Sequence, residues 1–159
     1  MAQSGESYPK DMVTIEKATA DSKEERVVTV VRNESEENAV KAAIGYMDAF
    51  NEADTLKTGT FINYPHARVG AGGRLVVSET AGTQMPDDFF IEFRKRYGWN
   101  HSCWDSREVI QSIETKVHLK VQFSRYRADG SKIGTFPSIW IMTKQDGHWG
   151  IKMRSSFAQ

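Results

Sequence analysis

The sequence predicts one α+β domain in which a curved, mixed but mostly antiparallel sheet wraps round helices into a cone with an internal pocket. Three observations lead to this fold class: a long amphipathic helix pattern in the first third, alternating apolar and polar residues in the last third, and two Asp-Gly turns that divide that last third. Long twisted strands curl, so helices laid on one face close around a cavity. A length of 159 residues suits a single domain with a sizeable core.

The N-terminal region, residues 1–33, is predicted to be an arm that precedes a domain over residues 34–159. Met1–Glu25 is polar and lacks apolar periodicity, which is typical of a flexible or loosely docked segment. The β-branched run Val27–Val31 favours a short strand, either at a sheet edge or exchanged between subunits.

The first helix of the domain is predicted to begin after a cap at Asn33 or Ser35 and to end near Asn51. Acidic residues fill its first turn, where negative charge complements the helix dipole. Its apolar residues recur on one helical face, which we expect to point inward. They are Ala39, Ala42, Ala43, Tyr46, Met47 and Phe50.

Two further helices are predicted from their end signals. Asp54 can cap a short helix directly after the first one. Pro86 suits the first turn of a longer helix, and Gly98 is a natural C-terminal stop for it. Between these helices, Phe61–Val69 and Leu75–Val77 predict a hairpin in which Pro65 indicates an edge position or a bulge.

The last third is predicted to form a three-stranded meander. Its strands are residues 106–127, 132–145 and 148–157. In the final strand, Trp149, Ile151 and Met153 are predicted to share one face.

Charge and composition narrow the classes of function. Basic and acidic residues number 21 each, so no net field draws nucleic acid or a membrane surface. Cys103 is the single cysteine, no signal-peptide pattern stands at the N-terminus, and no apolar run approaches the roughly 20 residues of a membrane span, so we expect a cytoplasmic protein. The histidines and the cysteine show no metal-ligand spacing and no phosphate-binding loop is present, so neither a metal nor a cofactor is predicted.

Four segments carry a resemblance to a known superfamily: residues 45–51, 63–68, 98–102 and 143–151. Together with the order of elements, they resemble the nuclear-transport-factor-two-like (NTF2-like) superfamily, also called cystatin-like, and within it a bacterial branch. This superfamily includes ketosteroid isomerase and the SnoaL-like polyketide cyclases. The resemblance spans Glu34–Phe157 and implies the fold, a pocket and a homodimer. It does not imply one chemistry, because the fold hosts enzymes, ligand binders and assembly modules.

The catalytic candidates are His66 and Tyr46. His66 lies on the hairpin strand, where related enzymes place a pocket base, and an imidazole titrates in the range useful for proton transfer. The alternative is a histidine hydrogen-bonded at the rim of the core. Tyr46 is similar in position to the tyrosine with which ketosteroid isomerase stabilises an oxyanion. The alternative is a core tyrosine with a buried partner.

The candidate ligand contacts include one cation and several aromatic side chains. Arg68 could hold a carboxylate or an enolate, or could lie at the rim. Trp99 and Trp104 flank a turn near the expected pocket mouth, or else cap the core. The full set is Arg68, Tyr64, Phe50, Trp99, Trp104 and Trp140.

Two departures from ketosteroid isomerase argue against its reaction. The hairpin offers no carboxylate in place of the isomerase's aspartate base, and the strand at residues 138–142 contains no acid. Three functions remain open: a cofactor-independent lyase, isomerase or cyclase acting on a small apolar carbonyl compound, a non-catalytic binder of a hydrophobic molecule, and a homodimeric assembly module. A cavity that holds Tyr46 and His66 together favours the first, a purely apolar cavity the second, and a solid core the third.

Overall fold

The architecture, seen in a computed structural model that describes residues 13–18 and 26–158, confirms the predicted α+β class. Within these residues three helices accompany two sheets: α1 (Glu34–Asn51), α2 (Thr55–Gly59) and α3 (Phe89–Tyr97). The smaller sheet pairs β1 (Val13–Ala18) with β2 (Arg26–Val31). The described helices include none that is long and apolar enough to cross a membrane.

The main sheet has six strands in the order β4-β3-β8-β7-β6-β5. Neighbouring strands run antiparallel except β3 and β8, which are parallel. The sheet is therefore mixed but mostly antiparallel, as predicted. The strands are β3 (Ile62–Val69), β4 (Leu75–Ser78), β5 (His101–Ile113), β6 (Lys116–Tyr126), β7 (Lys132–Gln145) and β8 (His148–Ser156).

The start of α1 is fixed by two side chains. Asn33 is the cap, because its Oδ1 accepts a hydrogen bond from the backbone N–H of Glu36 at 2.9 Å. The buried carboxylate of Glu36 accepts in turn from the backbone N–H of Arg32 at 2.7 Å and from Ser112 Oγ on β5 at 2.6 Å. These bonds tie the first turn of α1 to the sheet.

The end signals of the other helices are confirmed with one correction. Asp54 caps α2, since its Oδ1 accepts from the N–H of Lys57 at 2.9 Å. Gly98 ends α3 in a left-handed conformation, with φ of 66°. Pro86, however, precedes α3 rather than standing in its first turn. Its carbonyl accepts from the N–H of Phe89 at 3.0 Å and so closes a separate turn before the helix.

The predicted hairpin is formed by β3 and β4, with His66 opposite Ser78. Because β3 lies between β4 and β8, Pro65 is not on an edge strand. The pairing of β3 with β8 shifts register between Ile62 and Ala67, so the alternative of a bulge at Pro65 is the right one.

The meander contains four strands where three were predicted. The stretch 106–127 is divided between β5 and β6 by a turn at Glu114 and Thr115. This turn contains no Gly, Pro, Asn or Asp, and the neighbouring Ile113 favours strands, so the sequence offers no turn signal there.

A bulge in β8 changes which side chains face the core. Met142 pairs with Ile151 while Ile141 pairs with Met153, which leaves Lys152 as the extra residue. One inserted residue exchanges the two faces of everything after it. The prediction that Met153 shares a face with Ile151 is therefore wrong: Met153 is 42% exposed, whereas Ile151 is buried and Arg154 turns inward.

The N-terminal arm contains the strand predicted at Val27–Val31, seen as β2. Its partner β1 lies within the segment predicted to be flexible or loosely docked, where residues 13–18 form a strand that pairs with β2, and the rest of the segment Met1–Glu25 lies outside the described residues. Arg107 on β5 connects the small sheet to the large one. Its Nε donates to Thr29 Oγ1 and its Nη2 to the carbonyl of Val27, both at 3.0 Å.

We expect Arg107→Met to loosen the small sheet. The fully buried hydroxyl of Thr29 and the carbonyl of Val27 would each lose a donor, at a cost of about 1–3 kcal/mol in the free energy of unfolding. Urea denaturation measures this loss, and hydrogen exchange of residues 26–31 should accelerate. Arg127→Met, which removes an exposed arginine, is the matched control. Unchanged exchange of β2 in the Arg107 variant would contradict the assignment.

Candidate functional site

A cavity of about 460 Å³ lies between the inner face of the main sheet and helices α1 and α3. Its volume falls within the range of about 300–1,000 Å³ that is common for small-molecule sites. Strand β4 and the segment before α3 border it as well. Five aromatic side chains form its apolar walls: Phe50, Phe89, Phe93, Phe123 and Trp140.

The guanidinium of Arg154 is at the polar centre of this cavity. Its Nη1 donates to Tyr46 Oη at 2.7 Å, and its Nε donates to His66 Nε2 at 3.3 Å. The group also lies over the ring of Tyr46, 4.9 Å from the ring centre, and 5.8 Å from that of Trp140. One cation therefore contacts side chains of α1, β3 and β7.

His66 is held as a neutral imidazole. It is only 2% exposed, and because its Nε2 accepts from Arg154, the ring proton of the neutral form belongs on Nδ1. Burial, followed by the positive charges of Arg154 and Arg68, lowers the pKa of His66 to about 3. In the free protein this geometry suits a side chain that orients Arg154 better than one that accepts a proton.

Tyr46 presents a hydroxyl with an unused hydrogen. Its oxygen accepts from Arg154, and within the described part of the chain the hydroxyl donates to no acceptor. The ring packs edge-on against Trp140, with 5.4 Å between ring centres. The phenol is thus fixed in position while its O–H is available to a ligand.

Three more arginines line the cavity, of which Arg96 is exposed. Arg68 donates from Nη2 to the carbonyl of Ala158 at 3.0 Å, and burial lowers its pKa. Arg125 lies 4.9 Å from the ring centres of both Phe93 and Phe136, and burial lowers its pKa to about 10. The Nε of Arg125 is buried and has no hydrogen-bond partner among the described residues.

The structure brings together five of the eight residues predicted from the sequence. They are Tyr46, Phe50, His66, Arg68 and Trp140, and all of them line the cavity. Trp99, Trp104 and Tyr64 do not line it. The two tryptophans are each 2% exposed and belong to the core, where Trp99 Nε1 donates to Ser102 Oγ at 3.0 Å. The hydroxyl of Tyr64 is directed to the carbonyl of Gly59, 3.4 Å away.

Sequence reasoning missed Arg125 and Arg154. A signal existed for Arg125, because the inward alternation of β6 continues from Phe123 to the residue two positions on. The sequence could not show on which face of β8 Arg154 lies, because this residue follows the bulge at Lys152. Within the described residues, no group of three His, Cys, Asp or Glu side chains is placed to hold a metal ion.

The family model described as NTF2-like protein (DUF6841) matches residues 36–155. The chain belongs to this NTF2-like family. The match lies inside the predicted domain, residues 34–159, and confirms the superfamily that the four sequence segments resemble. None of the curated proteins matches the chain.

Solved structures share the fold at low identity. A cystatin-like protein of unknown function from Nostoc punctiforme has a TM-score of 0.63 at 11% identity, over 80% of this chain and 93% of that one. An NTF2-like protein from Novosphingobium aromaticivorans has a TM-score of 0.64 at 11% identity, over 79% and 82%. A ketosteroid isomerase-like protein from Erwinia carotovora atroseptica has a TM-score of 0.56 at 18% identity, over 79% and 96%. These likenesses show the fold alone.

The lowered pKa of His66 predicts how stability depends on pH. Between pH 6.5 and about 3 the unfolded chain binds a proton at this histidine while the native protein does not, so the free energy of unfolding falls as the pH falls through that window. We expect the fall to be steeper in the wild type than in His66→Gln, by up to about 1.4 kcal/mol per pH unit. Urea denaturation at several pH values measures both slopes. Equal slopes would show that the histidine is protonated as readily in the native state as in the unfolded chain.

Proposed function

We propose that the cavity binds a small apolar carbonyl compound and stabilises negative charge on its oxygen, so that the protein acts as a cofactor-independent lyase, isomerase or cyclase. The observation that carries this proposal is the 2.7 Å hydrogen bond from Arg154 Nη1 to Tyr46 Oη. Because the phenol oxygen is the acceptor in that bond, its O–H remains free to donate to a ligand oxygen. A donor fixed beside a cation is an arrangement that stabilises a developing oxyanion.

The reaction in this proposal begins with loss of a proton from the carbon next to the carbonyl, which leaves an enolate. The negative oxygen of the enolate would lie at Tyr46, near Arg154. His66 is the candidate proton acceptor, and its pKa of about 3 in the free protein opposes that role. Part of the lowering comes from neighbouring positive charges, which the developing enolate would offset.

The second candidate function is non-catalytic binding of the same class of compound. It is favoured by the bond from Arg154 Nε to His66 Nε2, because a neutral imidazole has only one acceptor nitrogen and this bond occupies it. Proton transfer to His66 therefore requires Arg154 to release that nitrogen. The 3.3 Å length of the bond makes it the weaker of the two that Arg154 donates.

Hydrogen–deuterium exchange at the carbon next to a ketone distinguishes the two functions. With propiophenone or 4-oxo-4-phenylbutanoate in D₂O, we expect the wild type to accelerate exchange, followed by NMR. Tyr46→Phe and Arg154→Met should each slow it by about 10²-fold, because each removes part of the oxyanion site.

Tyr64→Phe is the matched control for this experiment, since Tyr64 lies outside the cavity. Binding of either ketone without exchange would support the binder. Failure of both ketones to bind would contradict the proposal.

We also propose that two copies associate through the outer face of the sheet. Ile139 on β7 and Met153 on β8 are 38% and 42% exposed, an apolar pair on the side away from the cavity. Light scattering should give a dimer mass for the wild type and a monomer mass for Ile139→Glu. A monomer mass for the wild type at working concentration would contradict this proposal.

A further inference from the structure

The cavity has an excess of positive charge. Four arginines line it, of which Arg96 is exposed. The other three, Arg68, Arg125 and Arg154, form no ion pair with an acidic side chain of the described residues. The acids that border the cavity, Asp88 and Glu92, are exposed at its mouth. The negative charge that would balance the interior must therefore come from outside the described part of the chain.

Among the described residues, Arg68 and Arg154 donate hydrogen bonds only to neutral groups. Arg154 donates to a phenol and an imidazole, and Arg68 donates to a backbone carbonyl. The buried Nε of Arg125 has no acceptor among the residues described. Because a guanidinium carries five N–H donors, most donors of these three arginines have no acceptor among the described residues.

The guanidinium of Arg125 is surrounded by aromatic rings and has no negative charge beside it among the described residues. It lies over the rings of Phe93, Phe123 and Phe136, at 4.9, 5.5 and 4.9 Å from their centres. Ring faces attract a cation but replace lost water only in part. Burial is the largest cause of its lowered pKa, and the charge of Arg68 contributes, so the two cations are close enough to repel each other. The buried Nε is out of a ligand's reach, but a carboxylate in the cavity would supply the opposite charge and would accept from the terminal N–H groups of Arg125.

The walls of the cavity indicate the rest of the ligand. Phe50 contacts Phe93 and Phe89 edge-on, with 5.8 and 6.0 Å between ring centres, and Trp140 stands edge-on to Tyr46. Flat aromatic surfaces of this kind pack well against a ring of the ligand. A cavity of about 460 Å³ suits a compound of one or two rings rather than a long chain.

We propose that the ligand is a small aromatic keto acid, whose carboxylate binds Arg125 and Arg68 while its ketone oxygen lies at Tyr46 and Arg154. This inference rests on the proposed function, because it takes the Tyr46 hydroxyl as the ketone site and adds a separate site for the acid. The ligand class is recognised by its charge and its ring together.

Titration calorimetry on the full chain with a matched pair of compounds tests the inference. We expect 4-oxo-4-phenylbutanoate to bind about tenfold or more tightly than 4-oxo-4-phenylbutanamide, which has the same ring and ketone but no charge. Added NaCl should weaken binding of the acid and leave the amide unaffected.

Arg125→Met and Arg68→Met should each weaken the acid about tenfold and change the amide less than about twofold. Arg74→Met, which removes an exposed arginine outside the cavity, should change neither. Arg125→Lys keeps the charge but loses the planar fork, so we expect it to bind the acid at an intermediate strength. If circular dichroism shows that Arg125→Met does not fold, Arg125→Lys and Arg68→Met carry the test.

Several outcomes would overturn the inference, and they differ in whether the proposed function survives. Equal binding of acid and amide overturns it and leaves the proposed function intact for neutral ketones. An acid preference that survives in Arg68→Met and in the folded Arg125 variants overturns the assignment of the carboxylate site. Binding of neither compound overturns both the inference and the proposed function. An acid preference lost in the arginine variants, without exchange of the ketone's neighbouring hydrogens, supports the ligand class and makes the protein a binder.

Discussion

The candidate site depends on the two hydrogen bonds that the guanidinium of Arg154 donates. This guanidinium extends from β8, donates to Tyr46 on α1 and to His66 on β3, and so connects helix and sheet at one point. The parallel pairing of β3 with β8 brings these strands into register, with Arg68 opposite Arg154. Burial of His66, together with the positive charge of Arg154 beside it, lowers the pKa of the histidine, so the ring stays neutral and its Nε2 serves as an acceptor. Removing Arg154 would therefore change the hydrogen bonds of Tyr46 and His66 together.

A local backbone irregularity places that cation in the cavity. The extra residue Lys152 in β8 exchanges the two faces of the strand, so Met153 turns outward and Arg154 turns inward. Without the bulge, a flexible apolar side chain would fill the centre of the cavity and the arginine would lie in solvent. A second bulge, around Pro65 in β3, precedes the inward-facing His66. Both central side chains thus follow register shifts, which is common next to functional sites.

Local patterns in the sequence predicted the helices and most strands, but not the turn between β5 and β6, strand β1 or the whole site. The inward face of α1 follows from its 3.6-residue period, which correctly placed Tyr46 and Phe50 inside. The alternation of β6 extends to Arg125 and would have placed it as well. By contrast, a bulge is a property of pairing between two strands, so residues 148–157 alone could not show that Arg154 faces inward. The same limit applies to Trp99 and Trp104, because which aromatic residues close a core and which line its cavity depends on contacts between distant elements.

The positive charge of the cavity can contribute to ligand binding, to catalysis or to both. Binding a carboxylate equally well in the ground state and the transition state improves affinity but does not speed the chemical step. Catalysis requires a contact that strengthens as the reaction proceeds, and this needs a site separate from the one that holds the acid. In the proposed function, Tyr46 and Arg154 would provide such a site, because their hydrogen bond fixes a donor for an oxygen that becomes negative only in the enolate. Arg125 and Arg68 would then hold the ligand, and the question of catalysis reduces to whether a developing enolate draws Arg154 away from His66 and frees the nitrogen that must accept the proton.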